Sequence, residues 1–343
     1  AHTSRSKQQG PVYLDILDGA ILGTPITAAE YLAASEYRRN TFVLCSTDEA
    51  RRILEAGSPR IPILIPTEWN QDRNSLSMVQ YWEYLKSFPT VDVHDFDQAL
   101  PNGHITPRSM NPSSALALFR DPAHGPVNML NLGAYKENPI PSCMVGLPAY
   151  GIMTQVKEQS GKLEQPVALD LSDSARFQLC GKRGAFSMPH IDRHGVITTV
   201  YNDEGQKLWP FWPASELTTW ASSNALPSKP GISLYMDPGS TLIQPRGTIH
   251  APYSLTDVLM SGTMHWDSRD MLGVMQLSEL ERRYPHITNE DPAHEFVGKV
   301  DRIGAHWQAQ LPAWPWGSGD HLPQYLELVK VGGPSDCRED MRL

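Results

Sequence analysis

Apolar and polar positions follow two regimes along this chain. From Val12 to about Asp95 helical and strand periods alternate: an apolar run at Val12 to Leu17, a helical stretch at Thr27 to Arg39, a strand at Thr41 to Cys45, and a helix at Thr47 to Ala56 with Thr47 or Asp48 as N-cap. Ile63 to Ile65, between Pro62 and Pro66, predicts a short buried strand. Within Ser75 to Phe88 the residues Met78, Tyr81, Trp82 and Leu85 recur at helical spacing, ahead of a strand at Val91 to His94. A Pro/Ser/Asn-rich connection between Pro101 and Pro126 marks a soft boundary.

Beyond it short runs with Gly/Pro punctuation predict strands at Val127 to Leu132, Val167 to Leu171, Phe177 to Leu179, Val196 to Tyr201, Lys207 to Phe211, Ile232 to Met236, Thr241 to Gln244 and Val258 to His265. Eight short strands in succession predict a double-stranded β-helix, or jelly roll. The pattern then turns helical at Leu277 to Tyr284 and Phe296 to Gln310. The expected fold class is therefore mainly β with α/β additions: an N-terminal α/β extension over 1–110 packing on the core, a double-stranded β-helix over 111–275, and a C-terminal helical segment over 276–343.

Composition narrows the partners. The 343 residues are 40% hydrophobic and 20% charged with a net charge of -9, and no Lys/Arg block stands out, so the footprint of a nucleic-acid binder is missing. No run reaches the roughly 18 to 20 apolar residues of a membrane span, and Ala1 to Lys7 lacks the apolar core of a signal peptide. Cys45, Cys143, Cys180 and Cys337 show no CxxC pairing, so reduced thiols and an intracellular, cytoplasmic location are expected. The apolar run Tyr325 to Val331 offers a docking segment or a homodimer contact.

The chemistry concentrates in Ser187-Met-Pro-His-Ile-Asp192 and in Gln244-Pro-Arg-Gly-Thr-Ile-His250. His-x-Asp alone is weak, since composition produces about one such pair by chance, and His265-Trp-Asp267 is a second. A strand end carrying His190 and a turn carrying Asp192 can nevertheless converge on one metal, with Ile191 pointing the other way. His250, entering a strand after the Pro245-Arg-Gly247 turn, completes the two-histidine, one-carboxylate face of non-haem Fe(II) oxygenases, which leaves metal positions open for a cosubstrate and O₂. Lys207 lies beyond the turn Asp203-Glu-Gly205, which reads as a hairpin that returns its strand beside the first. Its ammonium could then receive the distal carboxylate of 2-oxoglutarate, with Ser187 adding a hydroxyl hydrogen bond.

These motifs, Ser187-x-x-His190-x-Asp192, Gly205-x-Lys207-x-Trp209 and Pro245-x-Gly247-x-x-His250-Ala, resemble the JmjC family of Fe(II)/2-oxoglutarate oxygenases in the cupin superfamily, over roughly Val127 to Asp267. The resemblance implies iron held by His190, Asp192 and His250 and 2-oxoglutarate held by Lys207 with Ser187. It further implies a tyrosine upstream, for which Tyr135 is the match, and a polar side chain on the strand after the second histidine, where His265 stands in place of the more common asparagine-like residue. The implied activity is oxidation of a C–H bond in a small molecule such as an amino acid or biosynthetic intermediate. The alternatives are a protein hydroxylase or lysine demethylase of the JmjC type, and a catalytically silent binding module. The Lys207→Ala variant separates a 2-oxoglutarate enzyme from a cosubstrate-free cupin. Loss of a charge-assisted hydrogen bond of about 2–3 kcal/mol weakens 2-oxoglutarate binding roughly 30- to 150-fold in a titration, whereas unchanged turnover favours the cosubstrate-free enzyme.

Overall fold

The computed structural model describes residues 16–72, 76–98, 105–135, 140–156, 170–223, 225–227, 229–310 and 321–331. The expected runs Val12 to Leu17 and Val167 to Leu171 lie largely outside these residues, as does Cys337. Asp170 and Leu171 themselves are not strand.

In the N-terminal part β1 (Ile21–Leu22) and β2 (Thr24–Ile26) precede helix α1 (Ala28–Ala33), followed by β3 (Thr41–Leu44), α2 (Thr47–Ala56) and β4 (Ile63–Ile65). Helix α2 covers the expected span, but its N-cap is Ser46. The Ser46 hydroxyl accepts from the Glu49 N–H while the Glu49 carboxylate accepts from the Ser46 N–H at 2.9 Å, a reciprocal capping pair. Helix α1 is shorter than its pattern predicts. Tyr37 stacks on Tyr31 with centroids 5.1 Å apart, and the Arg60 guanidinium lies over both rings at 4.8 and 5.1 Å, so tertiary contacts draw 34–40 out of the helix.

Helix α3 (Met78–Leu85), β5 (Val91–Asp95), β6 (Arg108–Met110) and α4 (Pro112–Arg120) lead into β7 (Val127–Gly133). After the short α5 (Ile152–Gln155) come β8 (Arg176–Gly181), β9 (Ile197–Glu204) and β10 (Lys207–Trp212). Helix α6 (Leu217–Ser223) precedes β11 (Ile232–Met236), β12 (Thr241–Gln244), β13 (Ile249–His250), β14 (Tyr253–Ser254) and β15 (Val258–His265).

These strands form two facing sheets, a double-stranded β-helix with additions. The larger has the order β2-β3-β4-β12-β9-β15-β8-β7-β5-β6, and the smaller β1-β11-β10-β13 with β14 also on β10. Strands β2 to β4 thus lengthen the larger sheet at one end and β5 and β6 at the other, while β1 supplies an edge of the smaller one. Period-two alternation sorts the faces. Phe177, Leu179, Val200, Leu242 and Met260 point between the sheets, where they meet Trp209, Phe211, Ile232 and Leu234. Ile197 and Ile243 point outward, beneath the cluster built on α1 and α2.

The Asp203-Glu-Gly205 turn is not a hairpin. β9 pairs with β12 and β15, whereas β10 pairs with β11, β13 and β14, so the turn carries the chain from one sheet to the other. Gly205 permits this with φ 84° where a Cβ would come within 2.0 Å of the Asp257 carbonyl oxygen.

Three helices close the structure: α7 (Met271–Arg283), α8 (Glu295–Gln310) and α9 (His321–Val331). The Tyr325 to Val331 run belongs to α9, and its apolar face is used within the chain. Tyr325 is buried, its hydroxyl donates to the Val300 carbonyl at 2.6 Å, and its ring meets Trp307 edge-on. On α8 the fully buried Lys299 donates to Asp170 at 2.7 Å and to the Val156 carbonyl at 2.6 Å. Burial pushes the Asp170 carboxyl up, but hydrogen bonds from Lys299 and Ser172 outweigh it and hold the group well below the usual carboxylate range.

Helix α7 holds the loop that follows β8. His194 sits in the left-handed region at φ 64°, unusual for a side chain with a Cβ. Its N–H donates to Glu281 of α7 at 3.0 Å, its carbonyl accepts from Trp266 Nε1 at 2.9 Å, and its Nε2 accepts from the Ala293 N–H at 3.0 Å. Burial pushes the Glu281 carboxyl up to about 7.

Two stability outcomes follow from these buried charges. Asp170→Asn removes a buried carboxylate from Lys299 and costs about 3–5 kcal/mol in urea unfolding. The wild-type contribution is fully present above the ordinary aspartate value of 3.8 and is lost as pH falls below it toward the lower folded value. An Asp170→Asn protein as stable as wild type at pH 7 contradicts this account. For Glu281 the sign is opposite: the fold prefers the protonated acid, so its stabilisation is complete below 4.5 and disappears as pH rises through about 7. Glu281→Gln keeps an acceptor for His194 and carries no charge. At pH 8 it should melt higher than wild type by roughly 3 °C or more, with the gain vanishing near pH 5; a gain that grows on acidification would refute the assignment.

Candidate metal centre

His190, Asp192 and His250 come together at one end of the space between the sheets, with one ligand atom from each within 4.8 Å of the others. The backbone does this directly. His190 and His250 form an antiparallel bridge, with the His190 N–H donating to the His250 carbonyl at 3.1 Å and the reverse bond at 2.9 Å. The two rings lie 4.2 Å apart, centroid to centroid. Ile191, between His190 and Asp192, is fully buried in the cluster beneath α6 and α7, as strand alternation demands.

The imidazole nitrogens are sorted by their neighbours. His190 Nδ1 faces the Met188 carbonyl at 2.7 Å and His250 Nδ1 faces the Thr248 carbonyl at 3.0 Å. A carbonyl only accepts, so both Nδ1 atoms carry the proton and both Nε2 atoms present a lone pair. Burial lowers both imidazoles, His190 to about 3 with His250 as a second cause, and His250 to about 4, so they stay neutral. The Asp192 carboxyl is raised by burial. Its Oδ2 accepts from Thr198 Oγ1 and, at 2.9 Å, from Gln244 Nε2, while Oδ1 faces His250 Nε2 at 3.5 Å. Two imidazole nitrogens and one carboxylate oxygen converging this way fit a two-histidine, one-carboxylate metal site.

Lys207 begins β10 on the same face as Trp209 and Phe211, only 3% exposed. Its Nζ lies 5.7 Å from the centre of the Trp209 ring, which in turn stacks parallel to His250 at 5.5 Å. Burial draws the ammonium down to about 8, and its charge reaches both histidines. No ion pair or hydrogen bond to Nζ occurs among the described residues.

The remaining expected residues are less central. Ser187 is half-buried, and its N–H donates to the Pro252 carbonyl at 3.0 Å; the 250–254 segment separates it from β10. Tyr135 lies past a bulge between Met129 and Leu132, where Asn131 takes φ 51°. Its N–H donates to Gln178, and its ring meets Tyr84 edge-on in the cluster that includes α3 and α4, away from the triad. His265 bonds to Thr263 at 2.7 Å, and Thr263 to Thr199, on the outward face of β15 beside Ile197. The inward residue at this point of β15 is Met264. The alternation of β15 therefore turns His265 away from His190, Asp192 and His250. Asp267 of the second His-x-Asp pair bonds Arg269 and Ser58, tying the barrel to the N-terminal layer.

An open cleft of about 680 Å³ is lined in part by Leu130, Asn131, Phe177, Arg193, Met264 and Glu290; it reaches Arg193, the neighbour of Asp192, while His190, Asp192, His250 and Lys207 are not part of its wall. Arg193, next to Asp192, holds the Glu290 carbonyl at 2.8 Å and the Thr288 hydroxyl, and Asn131 donates to the Glu290 carboxylate at 2.7 Å. Burial, then the charge of Asp192, raise the Glu290 carboxyl. Thr198 and Gln244 were not singled out from the sequence. The available signal was a glutamine two residues after Leu242, on the inward face of a strand.

No protein-family model matches the chain, and no curated protein matches it. Among solved structures it is similar to YcfD, a ribosomal oxygenase from Escherichia coli in complex with cobalt and succinic acid, at 13% identity and TM-score 0.35, covering 78% of this chain and 67% of that one. A second X-ray structure of Escherichia coli YcfD gives 12% identity and TM-score 0.39, covering 81% of this chain and 70% of that one.

Proposed function

We propose that the protein is an Fe(II)- and 2-oxoglutarate-dependent oxygenase. The observation that carries this reading is the pairing of two kinds of group in one interior: three convergent metal donors, and a buried ammonium with no counter-charge among the described residues. An unpaired charge in such surroundings is costly, and an anionic ligand would offset that cost. His190 Nε2, His250 Nε2 and Asp192 Oδ1 hold the metal on one face, and Lys207 receives the distal carboxylate of the cosubstrate. When bound, iron with 2-oxoglutarate and O₂ supplies the oxidising power that attacks a C–H bond. The protein's own part is to hold the two imidazoles neutral and all three donors aligned, to exclude water with the Trp209 and Phe211 layer, and to present the substrate.

We place a protein side chain ahead of the free small molecule expected from the sequence, because the cleft is open to solvent and its wall includes the exposed Asn131. An extended segment can lie in such a cleft, whose wall includes Arg193, the neighbour of Asp192.

Anaerobic addition of Fe(II) and then 2-oxoglutarate to the full chain should produce a visible charge-transfer band that Asp192→Ala abolishes. On admitting air, peptide pools should stimulate the conversion of 2-oxoglutarate to succinate and small amino acids should not. Absence of both band and succinate would sink the oxygenase reading; succinate release with free amino acids alone would reverse the substrate assignment.

A further inference from the structure

Gln244 ends β12 at the metal centre, and it is 2% exposed. Trp209 Nε1 lies 2.9 Å from its Oε1. An indole N–H only donates, so this contact sets which end of the amide is oxygen. The Nε2 end is therefore directed at Asp192 Oδ2, 2.9 Å away, where Thr198 also donates. The same Nε2 lies 3.2 Å from His250 Nδ1, but that nitrogen donates to the Thr248 carbonyl and offers no lone pair. The amide hydrogen thus goes to the carboxylate, and the amide packs on the imidazole without bonding it.

Resting on the metal-centre reading above, we propose that Gln244 is a positioning residue that makes Asp192 a one-oxygen ligand. Two donors occupy Oδ2, so Oδ1, on the side of His250 Nε2, is the atom left for the metal. Trp209 is part of the device, because its N–H stops the amide from flipping and withdrawing its donor. The ring also stacks on His250 and lies near Lys207, so a single side chain links the carboxylate orientation to the cosubstrate cation. Neither residue touches the reacting atoms.

The test uses Co(II) as the probe and the full chain, with no turnover required. Gln244→Met keeps the length and removes both polar ends; Trp209→Phe keeps a stacked ring and removes only the N–H. Far-UV circular dichroism and urea midpoints establish that each variant is folded. Loss of such an outer hydrogen bond should weaken Co(II) binding about 10- to 100-fold for Gln244→Met and by a smaller factor for Trp209→Phe. The visible Co(II) absorption band should shift in both, because the second carboxylate oxygen is then held by Thr198 alone or by a loosened amide and competes for the metal. Should Gln244→Met fail to fold, Trp209→Phe decides the matter by the same two readouts. A folded variant with Co(II) affinity within twofold of wild type and an unmoved band would overturn this inference alone. Wild-type protein that binds Co(II) no better than His190→Ala would overturn the metal centre and this inference together.

Discussion

Two backbone hydrogen bonds between His190 and His250 hold the centre of this molecule together. They bring residues sixty positions apart into one antiparallel bridge, and the bridge puts two imidazoles side by side. Much nearby packing serves that pair. Helix α7 secures the left-handed turn after Asp192, Arg193 secures the 288–290 segment, and the Pro245 to Gly247 turn delivers His250 to its register.

Burial acts on the site with one sign for each kind of group. It keeps the imidazoles neutral and so available as ligands, and it lowers the Lys207 ammonium while leaving it without a counter-charge among the described residues. It also raises Asp192, against which His190 and then the Thr198 and Gln244 hydrogen bonds act. A cation at the triad and an anion at Lys207 would each relieve part of this desolvation. The two expected ligands therefore support each other electrostatically.

Local pattern reading reached most of the strands, because alternation and Gly/Pro punctuation are properties of neighbouring residues. Lys207 to Phe211, Ile232 to Met236, Thr241 to Gln244 and Val258 to His265 lie where the alternation places them, to within a residue. What it missed were facts about pairing. The turn at Gly205 looks the same in sequence whether it folds a hairpin or switches sheets, and the difference is made by partners as far away as Ile232 and His250. Ser46 was displaced as N-cap by the adjacent Thr47 and Asp48, although Glu49 three residues on was the signal to read.

The sequence by itself determined the chemistry available: two histidines, an aspartate and a lysine in motifs whose spacing suits a strand-borne metal site. Tertiary structure alone decided which other side chains serve it. A one-residue step along β15 sends Met264 inward and His265 outward, and a bulge in β7 takes Tyr135 to the far face. Gln244, unremarked in a four-residue strand, becomes the contact between Trp209 and Asp192. Side-chain direction in a sheet depends on register and bulges, and register is set by long-range pairing that no local stretch of chain contains.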